Sequence, residues 1–320
     1  MDMQSEVLAA SRRIESYVRR TPIEFSPTLS AAGDCNVFLK LENQQLTGSF
    51  KLRGAMNKLL TLDEEQRRLG VVAASTGNHG AAVACGALLL GCRALIFAPN
   101  SAMKSKIGVI ENLGAELRFE GQDCIEGEIA ARAFADAEGR AYISPYNDPM
   151  VIAGQGTVGL ELEDQVPDLD AVFISVGGGG LISGTGGYLR AAHRSVEVIG
   201  ASPENSAVMA ASLREGRILD LPSDPTLSDG TAGGVEADSI TFELCQEIID
   251  DFVLVSEEAI AEGVRTIAHK HHNMVEGAAG TAVAAFMDMA RTQPSRLGGK
   301  NIVIVLCGAN IDPEVLRGIL

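Results

Sequence analysis

The feature that most constrains the fold of this chain is the regular alternation of short apolar runs with helical segments of about 10 to 15 residues. The runs are rich in β-branched residues and lack alternating polar positions, for example VVAAS at 71–75, ALIFAP at 94–99 and NIVIVLC at 301–307. Strands that are apolar on both faces are typical of parallel sheets covered by helices. The sequence therefore predicts an α/β protein with mostly parallel sheets flanked by helices.

The predicted elements fall into two groups, and we expect two lobes with a cleft between them, because 320 residues approach the size limit of one core. We expect a small mobile α/β domain over 70–147 and a large domain over 1–69 and 148–320. The weakly periodic segment 202–238 is expected to border the functional site. Predicted strands cover 37–42, 71–75, 94–99, 115–120, 141–144, 171–176, 196–201, 252–256 and 301–307. Predicted helices cover 49–60, 78–90, 104–113, 125–137 and 151–163, with one from 181 and two between 256 and 301.

Composition excludes several classes of function. With 42 acidic and 26 basic residues the net charge is −16, which disfavours a nucleic-acid partner. No run of about 18 uncharged apolar residues exists, so we predict no membrane span. Six dispersed cysteines without a Cys-x-x-Cys pair are typical of a reduced, cytoplasmic protein. The HKHH run at 269–272 lacks the i, i+4 histidine pair and acidic neighbour of a zinc site.

Four successive glycines at 177–180 follow the apolar strand AVFI and precede a helix. They leave backbone N–H groups unshielded at a helix N-terminus, where partial positive charge accumulates. The carboxyl end of a parallel strand is also where α/β sheets bind ligands. The run matches neither G-x-G-x-x-G nor the P-loop pattern, so it predicts a phosphate that is neither a dinucleotide's nor a transferred one. A glycine-rich turn that allows close helix packing is the alternative.

Two further loops place polar groups at helix starts. In TGSFKLRGA, Lys51 lies at a loop-to-helix junction, where partial desolvation lowers the pKa of an amine and makes it nucleophilic. A surface lysine is the alternative. STGNHG at 75–80 has more hydroxyl, amide and glycine groups than an N-cap needs, so it predicts a nest for a carboxylate. His79 is a candidate general base there, with a structural histidine as the alternative.

A phosphate cradle, an activated lysine and a carboxylate nest together indicate pyridoxal 5'-phosphate acting on an amino acid. The aldehyde of this cofactor forms a Schiff base with a lysine. Its ring takes up the electrons of a carbanion. The large domain would then bind the cofactor.

The whole chain, from RTPIEFSPTLS at 20–30 to VLCGAN at 305–310, resembles the serine/threonine dehydratase and serine racemase family of pyridoxal-phosphate enzymes. This is the fold type II group, to which tryptophan synthase β is related. The resemblance is carried by SFKLRGA, STGNHG, VIAGQGT at 151–157 and SVGGGGLISG, in this order and spacing. GSFKLRG followed by TGNHG resembles the dehydratase branch more than the cysteine synthases.

The resemblance implies a role for each residue of these motifs. Lys51 would be the catalytic lysine, with Phe50 against the ring and Asn78 bonded to the ring's phenolic oxygen. Thr76 would stand where racemase-like members have their second acid/base serine. The implied cofactor-binding residues are Phe50, Lys51, Asn78, Gly177, Gly178, Gly179, Gly180, Leu181, Gly230, Glu276 and Cys307. The residues implied to surround the substrate carboxylate are Ser75, Thr76, Gly77 and His79.

Cys307 would face the pyridine nitrogen, where the family has serine or cysteine instead of the aspartate of aminotransferases. A neutral thiol does not stabilise a protonated pyridinium as a carboxylate does. The ring would then be a moderate electron sink, which suits β-elimination. A buried cysteine at the end of a strand is the structural reading, and both readings can hold.

The function we expect is that of a dehydratase, an ammonia-lyase that converts serine, threonine or 3-hydroxyaspartate to a 2-oxo acid and ammonia. A serine or aspartate racemase, or an enzyme with both activities, is the alternative, because Thr76 retains a hydroxyl. Outside enzymes, the alternative is a carrier or sensor of pyridoxal phosphate. A second substrate carboxylate would need a cation, for which His79 and Arg53 are candidates. The segment 144–149 between the lobes would line the cleft or serve as a hinge.

The sequence departs from the family at its cation site. Some members bind a divalent cation through carboxylates after the strand that matches VEVIGA. Here Ser202 and Val208 stand in their places and Glu204 alone is near, so no metal ligand is predicted and Mg²⁺ has little support. The chain stops about a dozen residues after its last strand, so we expect no C-terminal regulatory domain. The resemblance implies a homodimer.

Overall fold

The structure is a computed structural model that describes residues 1–100, 104–121, 124–192 and 195–320. It contains two separate sheets flanked by helices, and in each sheet most neighbouring strands run parallel. The predicted α/β class with two mostly parallel sheets is confirmed. None of the helices in these ranges combines the length and apolar character that crossing a membrane requires.

The strands and helices of the described residues have the following bounds, in chain order. The strands are β1 (Ile23–Phe25), β2 (Asn36–Lys40), β3 (Val71–Ala74), β4 (Ala94–Ala98), β5 (Glu116–Phe119), β6 (Ala141–Tyr142), β7 (Ala171–Ser175), β8 (Glu197–Pro203), β9 (Asp251–Val255) and β10 (Asn301–Val305). The helices are α1 (Met3–Ile14), α2 (Pro27–Gly33), α3 (Lys51–Thr61), α4 (Glu64–Leu69), α5 (Asn78–Leu90), α6 (Lys104–Asn112), α7 (Cys124–Glu138), α8 (Pro149–Gln165), α9 (Gly180–Ala192), α10 (Val208–Glu215), α11 (Ile240–Ile248), α12 (Glu257–His271), α13 (Gly277–Thr292), α14 (Pro294–Leu297) and α15 (Pro313–Ile319). Short 3₁₀ turns cover Glu42–Gln44 and Glu204–Ser206.

The larger sheet has the strand order β1-β2-β10-β7-β8-β9. β1 pairs antiparallel with β2, and the other neighbours pair in parallel. Val303 of β10 is level with Phe38 of β2 and Val172 of β7, so the carboxyl ends of these strands meet at one edge. In the core above this sheet, Phe173 of β7 contacts Phe286 of α13 edge to face, with ring centroids 5.6 Å apart.

The smaller sheet has the order β5-β4-β3-β6 and is formed by strands between 71 and 142. Side chains alternate between its two faces. Val71 and Ala73 pack in one cluster with α3 and α5, while Val72 and Ala74 pack with Ala131 of α7. Helices α5 and α7 therefore cover opposite faces of this sheet.

The structure also contains elements that the periodicity does not predict. β1, α2 and α4 are three to seven residues long, too short to show a period. α10 lies within 202–238, where a continuous irregular segment was predicted. The predicted strand 141–144 ends at Tyr142, because the hydroxyl of Ser144 accepts the backbone N–H of Asn147 and turns the chain.

A buried cluster of ion pairs fixes α3, the helix that begins at Lys51. The guanidinium of Arg53 is fully buried and donates to both carboxylate oxygens of Glu42 at 2.8 Å. It also donates to Glu161 of α8 at 2.7 Å, and Lys40 lies 2.5 Å from the same carboxylate. The Arg53 guanidinium is therefore used in buried ion pairs, and it is not the cation for a second substrate carboxylate that sequence analysis considered.

We expect the substitution Arg53→Ala to lower the free energy of unfolding by about 3–5 kcal/mol, because it leaves a buried carboxylate without its partner. Urea denaturation measures this loss. In the control Arg20→Ala, which removes an exposed pair with Asp164, the loss should be about 0–1 kcal/mol. Equal losses in the two variants would contradict the structural role of Arg53.

Candidate active site

A cavity of about 560 Å³, here called the outer cavity, is lined by loops that follow strands of both sheets. A cavity of about 40 Å³, the inner cavity, adjoins it and shares Lys51, Asn78 and Glu276 with it. The structure places all eleven residues that sequence analysis assigns to the cofactor around the inner cavity. The four residues assigned to the substrate carboxylate, Ser75, Thr76, Gly77 and His79, line the outer cavity.

The loop before Lys51 is docked on the chain that follows β10. The N–H of Phe50 donates to the carbonyl of Cys307 at 3.1 Å, and the N–H of Ala309 donates to the carbonyl of Gly48 at 2.8 Å. Gly48 has φ = +73°, a left-handed conformation that glycine adopts without strain. This docking brings the lysine and the cysteine to the same inner cavity.

The amine of Lys51 loses its proton more easily than an ordinary lysine, with a titration point close to the neutral range. Its Nζ donates to the carbonyl of Pro145 at 3.0 Å and lies 5.3 Å from the ring centroid of Phe50. Burial lowers the pKa of Lys51 to about 8, although the negative charges of Glu128 and Glu276 favour the ammonium form. A lysine that acts as a nucleophile requires this lowered pKa.

The glycine run lies between β7 and α9, and the surrounding structure leaves no room for side chains. A Cβ on Gly177 would meet the carbonyl of Thr231 at 2.8 Å, and a Cβ on Gly178 would overlap the ring of Tyr146. These glycines line the inner cavity without side chains, so the backbone at the start of α9 offers a site for an anion there. This cradle fits the phosphate of pyridoxal phosphate.

Cys307 supplies a neutral group to the inner cavity. Its Sγ accepts a hydrogen bond from the hydroxyl of Ser175 at 3.4 Å. Burial, reinforced by the negative charge of Glu276, raises the pKa of the Cys307 thiol far above neutral pH. The thiol therefore stays protonated and fits an unprotonated pyridine nitrogen.

Glu276 is held by a network that joins α5 to the larger sheet. The side-chain amide of Asn78 donates to both Glu276 oxygens, at 2.8 and 3.0 Å, and its Oδ1 accepts from Asn310 at 2.6 Å. The N–H of Asn310 donates to Glu276 at 3.0 Å, and a Cβ on Gly230 would lie 3.2 Å from the same carboxylate. A bond from Asn78 to the phenolic oxygen of the ring stays a prediction.

The N-terminus of α5 opens on the outer cavity without a capping side chain. Gly77 is the N-cap residue, and among the described residues no side-chain cap hydrogen bond is made at this helix start. The hydroxyl of Ser75 accepts the N–H of Gly77 itself, at 3.1 Å. Uncapped helix N–H groups attract anions, which supports the predicted carboxylate nest.

His79 is neutral. Its Nε2 lies 2.8 Å from the carbonyl of Ile143, so this nitrogen carries the hydrogen. Burial, together with the positive charge of Lys51, lowers the pKa of His79 to about 3. His79 therefore offers no positive charge to a carboxylate, and its predicted contact with the substrate stays a prediction.

Comparison with known proteins agrees with this geometry. The family model described as pyridoxal-phosphate dependent enzyme matches residues 14–308. The L-threonine ammonia-lyase of Thermotoga maritima is 41% identical over 98% of this chain and 77% of its own length. This chain belongs to the pyridoxal-phosphate-dependent enzyme family.

Solved structures resemble the enzyme over nearly its whole length. Maize serine racemase superposes with a TM-score of 0.93 and 32% identity, over 98% of this chain and 95% of the racemase chain. The processed form of threonine deaminase isoform 2 from Solanum lycopersicum has a TM-score of 0.93 and 33% identity, over 99% and 91% of the two chains. The predicted family resemblance is therefore confirmed.

Sequence analysis missed several residues of the site, and three of them illustrate why. Tyr146 and Thr231 line both cavities, and Glu128 of α7 lines the outer one. Tyr146 falls in 144–149 and Thr231 in 202–238, the two segments expected to border the site, so their place was predictable but their contacts were not. Glu128 gave no signal, because an acid on an amphipathic helix looks like any solvated residue.

A metal site receives no support from the described residues, in which no group of three or more histidine, cysteine, aspartate or glutamate side chains is placed to hold an ion. In the HKHH run, His271 instead bonds to Ser26 and Glu24, both at 2.9 Å. The five cysteines whose side chains are described, Cys35, Cys85, Cys92, Cys245 and Cys307, are free thiols.

We expect Gly178→Ala to weaken the binding of pyridoxal phosphate, because the added methyl group overlaps the ring of Tyr146 and both residues line the inner cavity. An overpacking cost of about 1–3 kcal/mol corresponds to a roughly 5- to 150-fold rise in the dissociation constant. Titration of the cofactor-free protein measures it. The control Gly108→Ala, where the added Cβ meets no described atom within 4 Å beyond its own stretch of α6, should bind like the wild type. Unchanged affinity in Gly178→Ala would contradict the cradle.

Proposed function

We propose that the enzyme is an ammonia-lyase that converts a β-hydroxy α-amino acid to a 2-oxo acid and ammonia, with L-threonine as its main substrate. The observation that carries this proposal is the position of the Lys51 amine, at the junction of the inner cavity with the outer cavity. The similarity to proteins named L-threonine ammonia-lyase and threonine deaminase supports the choice of substrate.

Different residues of the chain would hold the cofactor, take the α-proton and bind the substrate carboxylate. Lys51 would hold the cofactor aldehyde covalently and, once displaced by the substrate amine, would take the α-proton at Nζ. The N–H groups at the start of α5 would bind the α-carboxylate and orient the substrate. When bound, pyridoxal phosphate supplies an electron sink for the α-carbanion.

The neutral thiol of Cys307 favours elimination over reactions that need a long-lived carbanion. A partner without charge would not stabilise a protonated pyridine nitrogen, so the bound cofactor would be a moderate electron sink. Departure of the β-hydroxyl group then takes up the electrons promptly. The α-proton and the β-hydroxyl group would be lost as water, the enamine that remains would keep the carbon skeleton, and its hydrolysis gives the 2-oxo acid and ammonia.

Racemisation is a second candidate activity, supported by one feature of the site and one relative. Thr76 lines the outer cavity with a hydroxyl that is able to exchange a proton with the α-carbon from the other face. Maize serine racemase is 32% identical to this chain. Chiral analysis of the substrate recovered after partial turnover separates the two activities.

The proposal extends to the domain organisation, the oligomeric state and the cellular location of the enzyme. We propose that residues 70–147 form a small domain that moves against the large domain formed by 1–69 and 148–320. The smaller sheet lies within 70–147, and the Arg132–Glu236 ion pair at 2.6 Å joins it to the large domain. A homodimer and a cytoplasmic location, the latter supported by the free thiols, stay predictions.

We expect Lys51→Ala to abolish both 2-oxo acid formation and the violet-range absorbance of the lysine-bound cofactor, since the attachment point and the base are lost together. Spectra and a coupled 2-oxo acid assay measure these. The control Lys270→Ala removes an exposed lysine and should behave like the wild type. Product formation by Lys51→Ala would remove this mechanism.

The alternative of a carrier or sensor is tested on the wild type. Wild-type protein that binds the cofactor but turns over no hydroxy-amino acid, with or without Mg²⁺ or a chelator, would indicate a carrier or sensor.

The lowered pKa of Lys51 predicts the pH dependence of covalent cofactor uptake. The reactive amine is the unprotonated form, so the uptake rate should rise with pH up to about 8 and then level off. For a lysine with the ordinary pKa of 10.5, the rate would keep rising by about tenfold per pH unit beyond pH 8. Stopped-flow absorbance of cofactor-free protein mixed with pyridoxal phosphate measures the profile, and a continued rise to pH 10 would contradict the burial of the amine.

A further inference from the structure

The part of the outer cavity that remains for a substrate side chain carries an acidic residue. The α-carboxylate of a substrate is assigned to the start of α5, and its amino group to the cofactor at Lys51. The remaining lining includes Glu128, Tyr146 and the glycines Gly233 and Gly234, and two further acids, Asp229 and Asp312, line other parts of the cavity. Glu128 comes from α7, on the face of the smaller sheet opposite to α5.

The Glu128 carboxylate has no hydrogen-bonded or ion-paired partner among the described residues, and only more distant charges act on it. These are the charges of Lys51, Arg132 and Glu236. Burial, together with the negative charge of Glu236, raises the pKa of Glu128 to about 7. Above that pH the cavity therefore contains a carboxylate that no bonded cation compensates.

The nearby cation, Arg132, already forms an ion pair with another acidic residue, Glu236. Arg132 donates to both oxygens of Glu236 at 2.6 Å, and its guanidinium lies 4.4 Å from the ring centroid of Tyr142. Asn147 also donates to Glu236, at 2.7 Å. Arg132 does not line the outer cavity, where Lys51 is the one basic side chain among the described lining residues and His79 is neutral.

We propose that Glu128 is a specificity-determining residue that excludes amino acids with a second carboxylate on the β-carbon and admits those with a neutral or cationic side chain. A dicarboxylic substrate such as 3-hydroxyaspartate would place its β-carboxylate beside Glu128 with no free cation. Like charges brought together in a partly desolvated site repel strongly. The inference rests on the proposed function and narrows its substrates to serine and threonine.

Equilibrium binding of three ligands of similar size to the cofactor-loaded enzyme tests this inference without turnover. The ligands are L-aspartate, L-asparagine and L-2,4-diaminobutyrate, whose side chains end in a negative, a neutral and a positive group. Calorimetric titration at pH 8.5 compares the wild type with Glu128→Gln and Glu128→Ala. The matched control is Glu138→Gln, which makes the same charge change at an exposed position of the same helix.

In both Glu128 variants we expect affinity for L-aspartate to rise relative to L-asparagine by about tenfold or more, and relative affinity for L-2,4-diaminobutyrate to fall. A merely structural change would shift all three ligands in the same direction. The control should keep the wild-type ratios. Wild-type ratios in the Glu128 variants, or a parallel shift of the three ligands, would overturn the role of Glu128.

A separate assay of wild-type turnover distinguishes the two proposals. If L-threonine and L-serine give no 2-oxo acid, the proposed function fails, while the binding ratios still decide whether Glu128 discriminates by charge. If both are turned over and the ratios do not respond to Glu128, only the specificity inference fails.

Discussion

The site depends on the docking of the loop before α3 onto the chain after β10. Two backbone hydrogen bonds, from Phe50 to Cys307 and from Ala309 to Gly48, hold the reactive lysine beside the neutral thiol. The buried guanidinium of Arg53, one half-turn further along α3, anchors the same helix to Glu42 and Glu161. An amine kept out of water without an ion-paired partner is costly, and this rigid support is what allows it to persist.

The protonation states of the groups around the two cavities are set by burial more than by ion pairing. Lys51 and His79 lose proton affinity on burial, and Cys307 and Glu128 gain it. The result is a site with an amine near its titration point and a thiol and an imidazole that are both neutral. Such a set suits a reaction in which one group accepts the proton while its neighbours do not compete for it.

Apolar strands and the glycine run reflect local backbone demands, so the sequence was sufficient for the fold class, the parallel sheets and the glycine turn at the inner cavity. Gly230, Glu276 and Cys307 were assigned only through the family resemblance. The sequence could not place Arg53, since a charged residue on a helix pattern reads as solvated until its partners from distant segments are known. Tyr146 and Glu128 were missed for the same reason. Their roles come from contacts across loops far apart in sequence, which periodicity does not record.

The glycine cradle has a consequence for how the enzyme keeps its cofactor. Apart from Lys51, which is reserved for the aldehyde, the described side chains around the inner cavity include no basic group. Salt screens peptide dipoles around a buried cavity less than it screens exposed cations. Retention of the cofactor tail should therefore vary little with ionic strength, and the proposed covalent attachment at Lys51 would add to that retention.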